Sequence, residues 1–221
     1  THEIRNPLTS LRSAVETAAR VQNLEHHKEL MSIILDDIQR LDRLITDIAD
    51  ASRLDSELSR AKMETVDIGV LLNELQDLYH TAYKVDGVTI SIEITNTAPM
   101  VILGLEDRIV QVLYNLLGNA ESFSPINGTI TIIAERIDSN VIVMVEDEGP
   151  GISESSLIKI FNRFYQERPS EEKFGTHSGL GLSISKQIIE THGGKIWAEN
   201  RKSATDEVLG ARFTFEFPVI S

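Results

Sequence analysis

A histidine, a glutamate and an asparagine lie close together in His2-Glu3-Ile4-Arg5-Asn6-Pro7-Leu8. On a helix, residues four apart share a face, so the His2 imidazole and the Asn6 carboxamide stand together. Imidazole is a nucleophile at neutral pH with little tuning, and a neighbouring carboxylate can fix its tautomer or take its proton. Pro7 lacks the N–H that would bond to the Glu3 carbonyl, so a bend is expected beside His2, where a helix could switch between two shapes. The plain alternative is a surface histidine near a chain end. That is the reading for His26, His27, His80, His177 and His192.

Asn115 and Asn119 repeat the four-residue spacing in Asn115-Leu116-Leu117-Gly118-Asn119-Ala120-Glu121-Ser122-Phe123, on a helix anchored by Val112, Leu113, Leu116 and Leu117. Two carboxamide oxygens on one face can hold a Mg2+ ion that keeps most of its water and bridges phosphates. Two solvated asparagines would read the same way. Asp147-Glu148-Gly149-Pro150-Gly151-Ile152 follows a strand. Glycines there allow close approach of a planar ligand, and a carboxylate can accept from an exocyclic amine. Strand-ending turns often share this composition. Gly175-Thr176-His177-Ser178-Gly179-Leu180-Gly181-Leu182 opens a helix whose unpaired N–H groups can meet phosphate oxygens. It is neither a Walker A motif nor a dinucleotide fingerprint, and a flexible Gly-rich helix start is the alternative.

Two kinds of periodicity position these clusters. Ile4, Leu8, Leu11, Val15 and Ala18 are spaced 4, 3, 4 and 3 residues apart, and Ile34, Ile38, Leu41, Ile45 and Ile48 repeat that spacing. Two amphipathic helices with a short connection form an antiparallel hairpin. Its seams leave apolar edge exposed, which two hairpins cover by packing as a four-helix bundle, so a homodimer through residues 1–60 is expected. A monomeric hairpin leaning on the rest of the chain is the alternative. Beyond residue 60 the period changes. Val88, Ile90, Ile92 and Ile94 alternate with polar residues, as do Phe213, Phe215 and Phe217. Further strands are expected over 129–137 and 141–147, joined by a turn at 138–140, and helices over 67–83, 106–122 and 180–192. Asp67 is the N-cap expected for the first of these helices. The whole is an α+β chain: a helical hairpin followed by a mixed sheet covered on one face by helices. Residues 166–178, rich in charge and small polar groups, read as a mobile loop.

Composition removes several function classes. Acidic residues number 34 against 21 basic ones, a formal charge of −13, opposite to the balance of a nucleic-acid binder. With no cysteine there are no disulfides, thiolate metal sites or cysteine nucleophiles. No apolar run reaches the roughly 18 residues of a membrane span. The chain starts at Thr1 rather than Met, so a fragment of a longer protein is expected, with any membrane segment in the missing part.

The four clusters, with Phe161-Asn162-Arg163-Phe164 between the third and fourth, resemble in order the H, N, G1, F and G2 boxes of sensor histidine kinases. The resemblance runs from His2 to the last strand. Within the family, HEIRNPLTSLRSAVE and RLDRLITDIADASRLD are most similar to the ChvG/ExoS-type envelope sensors.

This resemblance implies a dimerisation and phosphotransfer domain over 1–60 and an ATP-binding catalytic domain of the Bergerat type over 61–221. His2 would attack the ATP γ-phosphoryl group, Glu3 would accept its other ring proton, and Asn6 would orient a water in a phosphatase reaction on the partner, a response regulator receiver domain. Asn115 and Asn119 would hold Mg2+ and the phosphates. Phe123 would lie against adenine and Asp147 would accept from its amine. Gly149 and Gly151, beside Ile152, would let the base approach. Gly179 and Gly181, with Leu180 and Leu182, would free a lid over the phosphates, and Arg163 would contact phosphate. The implied setting is the cytoplasmic portion of an inner-membrane sensor.

Two departures stand out. Ser122 occupies the position where many members carry a phosphate-facing lysine, so positive charge must come from Mg2+ and from Arg163 or Lys186. The family's first helix extends well upstream of its histidine, whereas only Thr1 precedes His2, so a weakened or rearranged dimer is expected. The rival readings are a chaperone- or repair-type ATPase of the same nucleotide fold, which leaves the HEIRNP hairpin unexplained, and a degenerate sensor acting as a scaffold.

Overall fold

The structure, a computed structural model, describes residues 2–21, 23–58, 61–82, 87–95, 98–165 and 179–220. The chain divides into two compact units, one of residues 1–59 with 163–180 and one of residues 60–162 with 181–221.

In the first unit α1 (His2–Ala18) packs against α2 (Leu24–Leu58) as the expected hairpin. Asn23 Oδ1 accepts from the Glu25 N–H at 2.9 Å, which caps the start of α2. α1 runs through the buried Pro7 as one uninterrupted helix, despite the carbonyl that proline leaves unbonded. Its covered face is Pro7, Ala14 and Ala18, with Leu11 half-buried, and the two alanines let a neighbouring helix come close. The predicted single seam therefore splits in two. Leu8 and Val15 are each 52% exposed, and on α2 Ile38 and Ile45 are exposed while Leu44 is buried. Leu24, Met31, Ile38 and Ile45 form a seven-residue apolar line of their own. A 4-3-4-3 spacing merges two neighbouring faces of a helix, and only one of them is spent on the hairpin.

The second unit holds a five-stranded sheet in the order β2-β4-β5-β7-β6. Its strands are β2 (Thr89–Ile94), β4 (Thr129–Ile137), β5 (Asn140–Glu146), β6 (Lys195–Lys202) and β7 (Val208–Pro218). β2 runs parallel to β4 and the other pairs are antiparallel. A separate two-stranded ladder joins β1 (Glu64–Asp67) to β3 (Val101–Gly104) and is tied to the chain end by Ile220 N–H donating to the Val101 carbonyl at 3.0 Å. Among the described residues the α-helices of this unit are α3 (Ile68–Ala82), α4 (Glu106–Phe123) and α5 (Gly181–Thr191). Asp67 caps α3 as expected, its Oδ1 accepting from Gly69 N–H at 2.9 Å and Val70 N–H at 3.4 Å.

Strand alternation turns Ile130, Ile132, Val141, Val143, Val145, Phe213, Phe215 and Phe217 to one face, where all are buried. Against them α4 sets Ile109, Val112, Leu113, Leu116, Leu117 and Ala120, a 3,1,3,1,3 spacing that makes one helix face wholly apolar. The strands expected over 88–94, 129–137, 141–147 and 213–217 are all present. β1, β3 and β6 are additional to the prediction. The loop expected over 166–178 lies outside the described residues.

His192, read from sequence as an ordinary surface histidine, is instead a buried bridge. Its Nδ1 lies 2.7 Å from the Ile188 carbonyl and its Nε2 accepts from the Leu105 N–H at 2.9 Å, so the end of α5 is tied to the residue that precedes α4. The ring is therefore neutral with its proton on Nδ1, and burial holds its pKa below the usual histidine value. Because the folded form binds the second proton less readily than the unfolded chain, this contribution is full above about pH 6.5 and is lost as pH falls through the depressed value. We expect the urea midpoint of the second unit to fall on acidification below about pH 6.5. His192→Gln, which can still accept from Leu105, should flatten that part of the profile. An unchanged slope in the variant would assign the effect elsewhere.

Candidate nucleotide site

The apolar face of α4 leaves Asn115 and Asn119 half-buried on its opposite flank. Asn115 Nδ2 donates to the Gly181 carbonyl at 3.2 Å and to Ser185 Oγ at 3.3 Å, and Ser185 Oγ itself donates to the Gly181 carbonyl at 2.9 Å. Both amide protons are committed to Gly181 and Ser185 at the start of α5, and among the described residues Oδ1 accepts nothing. Among the described residues the Asn119 carboxamide makes no hydrogen bond. These two side chains supply the oxygen donors that a hydrated Mg2+ ion takes.

Asp147 follows β5 and is 2% exposed. Its Oδ1 accepts from Gly149 N–H at 2.8 Å and Ala211 N–H at 2.9 Å, and its own N–H donates to the Ala211 carbonyl at 3.0 Å. Among the described residues its Oδ2 accepts nothing. Burial pushes the carboxyl above the ordinary aspartate value, opposed by the two N–H donors and by the Arg201 charge. A buried carboxylate with one oxygen satisfied and one free is an acceptor held ready for a donor from a ligand.

The glycines here serve the chain's own folding. A Cβ on Gly149 would stand 2.7 Å from the Phe123 carbonyl, at the end of α4. Gly151 has φ +79°, and a Cβ there would meet Val208 Cγ1 at 2.5 Å. Asn200 clamps the same turn twice, accepting from Ile152 N–H and donating to the Ile152 carbonyl, both at 2.7 Å. Gly210 lets β7 pass directly over the Asp147 carbonyl oxygen, which a Cβ would overlap.

Residues 104–221 match the model of the histidine kinase-, DNA gyrase B- and HSP90-like ATPases, and residues 1–57 match that of the His kinase A phospho-acceptor domain. The chain belongs to the sensor histidine kinases. It is 46% identical over 98% of its length to the sensor protein ChvG of Rhizobium meliloti (strain 1021), covering 39% of that protein. It is 47% identical over 98% of its length to ChvG of Agrobacterium fabrum (strain C58 / ATCC 33970), covering 37% of it. The solved histidine kinase ThkA in complex with the response regulator protein TrrA has a TM-score of 0.75 at 29% identity, covering 99% of this chain and 59% of that one.

In this histidine kinase the second unit contains Asn115, Asn119, Phe123, Asp147, Gly149, Gly151, Ile152, Gly181 and Leu182. Arg163, Gly179 and Leu180 fall in the first unit, as do His2, Glu3 and Asn6. His2 and Asn6 lie four residues apart on α1; the side chains of His2 and Glu3 are outside the described set, and Asn6 is exposed. Phe164 N–H donates to the Gly179 carbonyl at 2.9 Å, and Gly179 takes a left-handed φ of +71°. Sequence reasoning missed Asn200, Arg201, Ala211 and Glu146, all of which hold the Asp147 turn. Only the chain's folding brings them there, and no short motif marks them.

Two glycine substitutions should separate packing from helix propensity. Gly210→Ala should lower stability by about 2–3 kcal/mol, since backbone must move to admit the methyl. Gly118→Ala, where a Cβ meets nothing within 4 Å, should raise it by up to about 1 kcal/mol through helix propensity. Thermal melts of both variants test the pair.

Proposed function

We propose that this chain is the cytoplasmic kinase core of a membrane-anchored sensor. It transfers the ATP γ-phosphoryl group to His2 and then to an aspartate of a response regulator receiver domain. The observation that carries the reading is that Asp147 Oδ2 and Asn115 Oδ1, on the motifs that the family uses for nucleotide, accept nothing among the described residues. In this reading Asp147 accepts from the adenine amine and Phe123 lies against the base. Ile152 and Leu182 flank the nucleotide, and Gly179, Leu180 and Gly181 lead from the lid into α5. Asn115 and Asn119 hold Mg2+, which when bound neutralises phosphate charge. With Ser122 in the lysine position, Arg163 is the proposed further phosphate contact. His2 attacks the γ-phosphorus through one ring nitrogen, the bond from that phosphorus to the β,γ-bridging oxygen breaks and ADP leaves, and Glu3 accepts the proton from the other ring nitrogen of the phosphoramidate, so the chain's contribution is mostly alignment and charge.

Residues 1–60 act as the dimerisation and phosphotransfer domain and 61–221 as the catalytic domain. The exposed line Leu24, Met31, Ile38 and Ile45, with Leu8 and Val15, supports a homodimer, since a two-helix contact leaves it bare. Likeness to a kinase solved with its response regulator supports docking of a receiver domain, and Asn6, exposed four residues after His2, supports phosphatase activity toward it. The chain spans about two fifths of the curated relatives named above, which supports a membrane anchor and sensor in further segments. Among the described residues no helix is long and apolar enough to cross a membrane.

Incubation with γ-labelled ATP and Mg2+ should give acid-labile, base-stable label that His2→Gln abolishes. Label that persists in His2→Gln would reassign the acceptor. If the parent stays unlabelled even with a dimerising coiled coil fused before Thr1, the scaffold reading replaces this one. Separately, Ile38→Asp combined with Ile45→Asp should halve the mass seen by light scattering. An unchanged dimer mass would move the interface off that line.

A further inference from the structure

Strand alternation places Asp147 on the helix-covered side of the sheet and Glu146, Arg212 and Glu199 on the other. Glu146 and Arg212 are cross-strand partners, as are Arg212 and Glu199. On that far side Glu146, only 6% exposed, is held by two arginines. Arg212 donates to Glu146 Oε1 from Nε at 2.7 Å and from Nη2 at 2.6 Å, and reaches Glu199 from Nη1 at 3.0 Å. Arg201 Nε lies 2.8 Å from Glu146 Oε2, and its Nη1 donates to the Asp147 carbonyl oxygen at 2.8 Å. The guanidinium thus joins two consecutive residues, one through its carboxylate and the next through its peptide. A planar fork with fixed donor directions sets the angle between these two contacts, whereas an ammonium, a point charge with three freely rotating donors, does not.

We propose that Arg201 is a positioning residue for adenine recognition: it fixes the Asp147 peptide from behind the sheet and so aims the free Oδ2 at the purine amine. The inference rests on the reading that Asp147 accepts from adenine. Three backbone bonds already hold the front of Asp147, to Gly149 and twice to Ala211. Arg201 is the side chain that fixes its carbonyl, and Glu146 with Arg212 keeps Arg201 in place. Its charge also favours the ionised Asp147 that an amine donor requires. Arg201 acts through Asp147, on the sheet face opposite the carboxylate, so it governs the amine contact without touching the ligand.

The test compares binding of ATP and of purine riboside triphosphate, which differ by the exocyclic amine, to the 221-residue chain and its variants. Arg201→Gln should weaken ATP about tenfold, the scale of one charge-assisted hydrogen bond, and change the deaminated nucleotide by less than about threefold. Its ATP binding should also fail at a higher pH than the parent's as the solution is acidified. Arg201→Lys should recover the pH dependence but not the full preference for the amine. Equal weakening of both nucleotides, or no weakening of either, overturns the proposal. If Arg201→Gln does not fold by its melting curve, the same ratio read on Arg201→Lys decides. Asp147→Asn separates the two levels. If it leaves ATP binding unchanged, the adenine reading itself fails; if it abolishes the preference while Arg201→Gln keeps it, only the role of Arg201 fails.

Discussion

A carboxylate removed from water must be satisfied or neutralised, and Asp147 is satisfied on one side only. Much of the second unit is arranged around that half-satisfied state. The turn after β5 folds back so that Gly149 N–H can donate, β7 comes close enough for Ala211 to donate, and Gly210 gives up its side chain to permit the approach. The β6–β7 hairpin then holds the rest of the loop through Asn200 and Arg201. Without these contacts the burial would cost more than the fold recovers, and the aspartate would either leave the site or pick up a proton.

Much of this was legible in the sequence because the signals were periodic and undiluted. Phe213, Phe215 and Phe217 alternate cleanly, and the doublets of α4 leave no doubt about its buried face. β6 was missed because Lys195, Glu199, Asn200, Arg201 and Lys202 mask the inward Ile196 and Ala198. β1 and β3, four residues each, are too short to establish a period. The hairpin was read correctly as a hairpin but its seam was not, since heptad spacing does not say how many partners a helix has. His192 shows the same blindness, because a residue's burial depends on what folds over it.

The glycines teach a different lesson. Gly149 and Gly151 were expected to make room for a base, a sensible reading of an Asp-x-Gly-x-Gly turn. In the fold the nearest atoms to their missing Cβ positions belong to Phe123, Asp147, Asn200 and Val208. Their first task is to let one part of the chain pass close to another, and the nucleotide motif is as much a packing motif as a binding one. Arg201 and Glu146 were invisible for the complementary reason: they act from the opposite face of the sheet, and their partners lie far away along the chain.

The amide of Ala211 sits within β7 and donates to a carboxylate 64 residues earlier in the sequence rather than to a neighbouring strand's carbonyl. Its proton therefore exchanges with solvent only when Asp147 lets go. An ordinary ladder amide reports the opening of its sheet; this one also reports the placement of a side chain. The molecule carries, inside a strand flanked on both sides, a built-in spectroscopic gauge of whether its aspartate is in place.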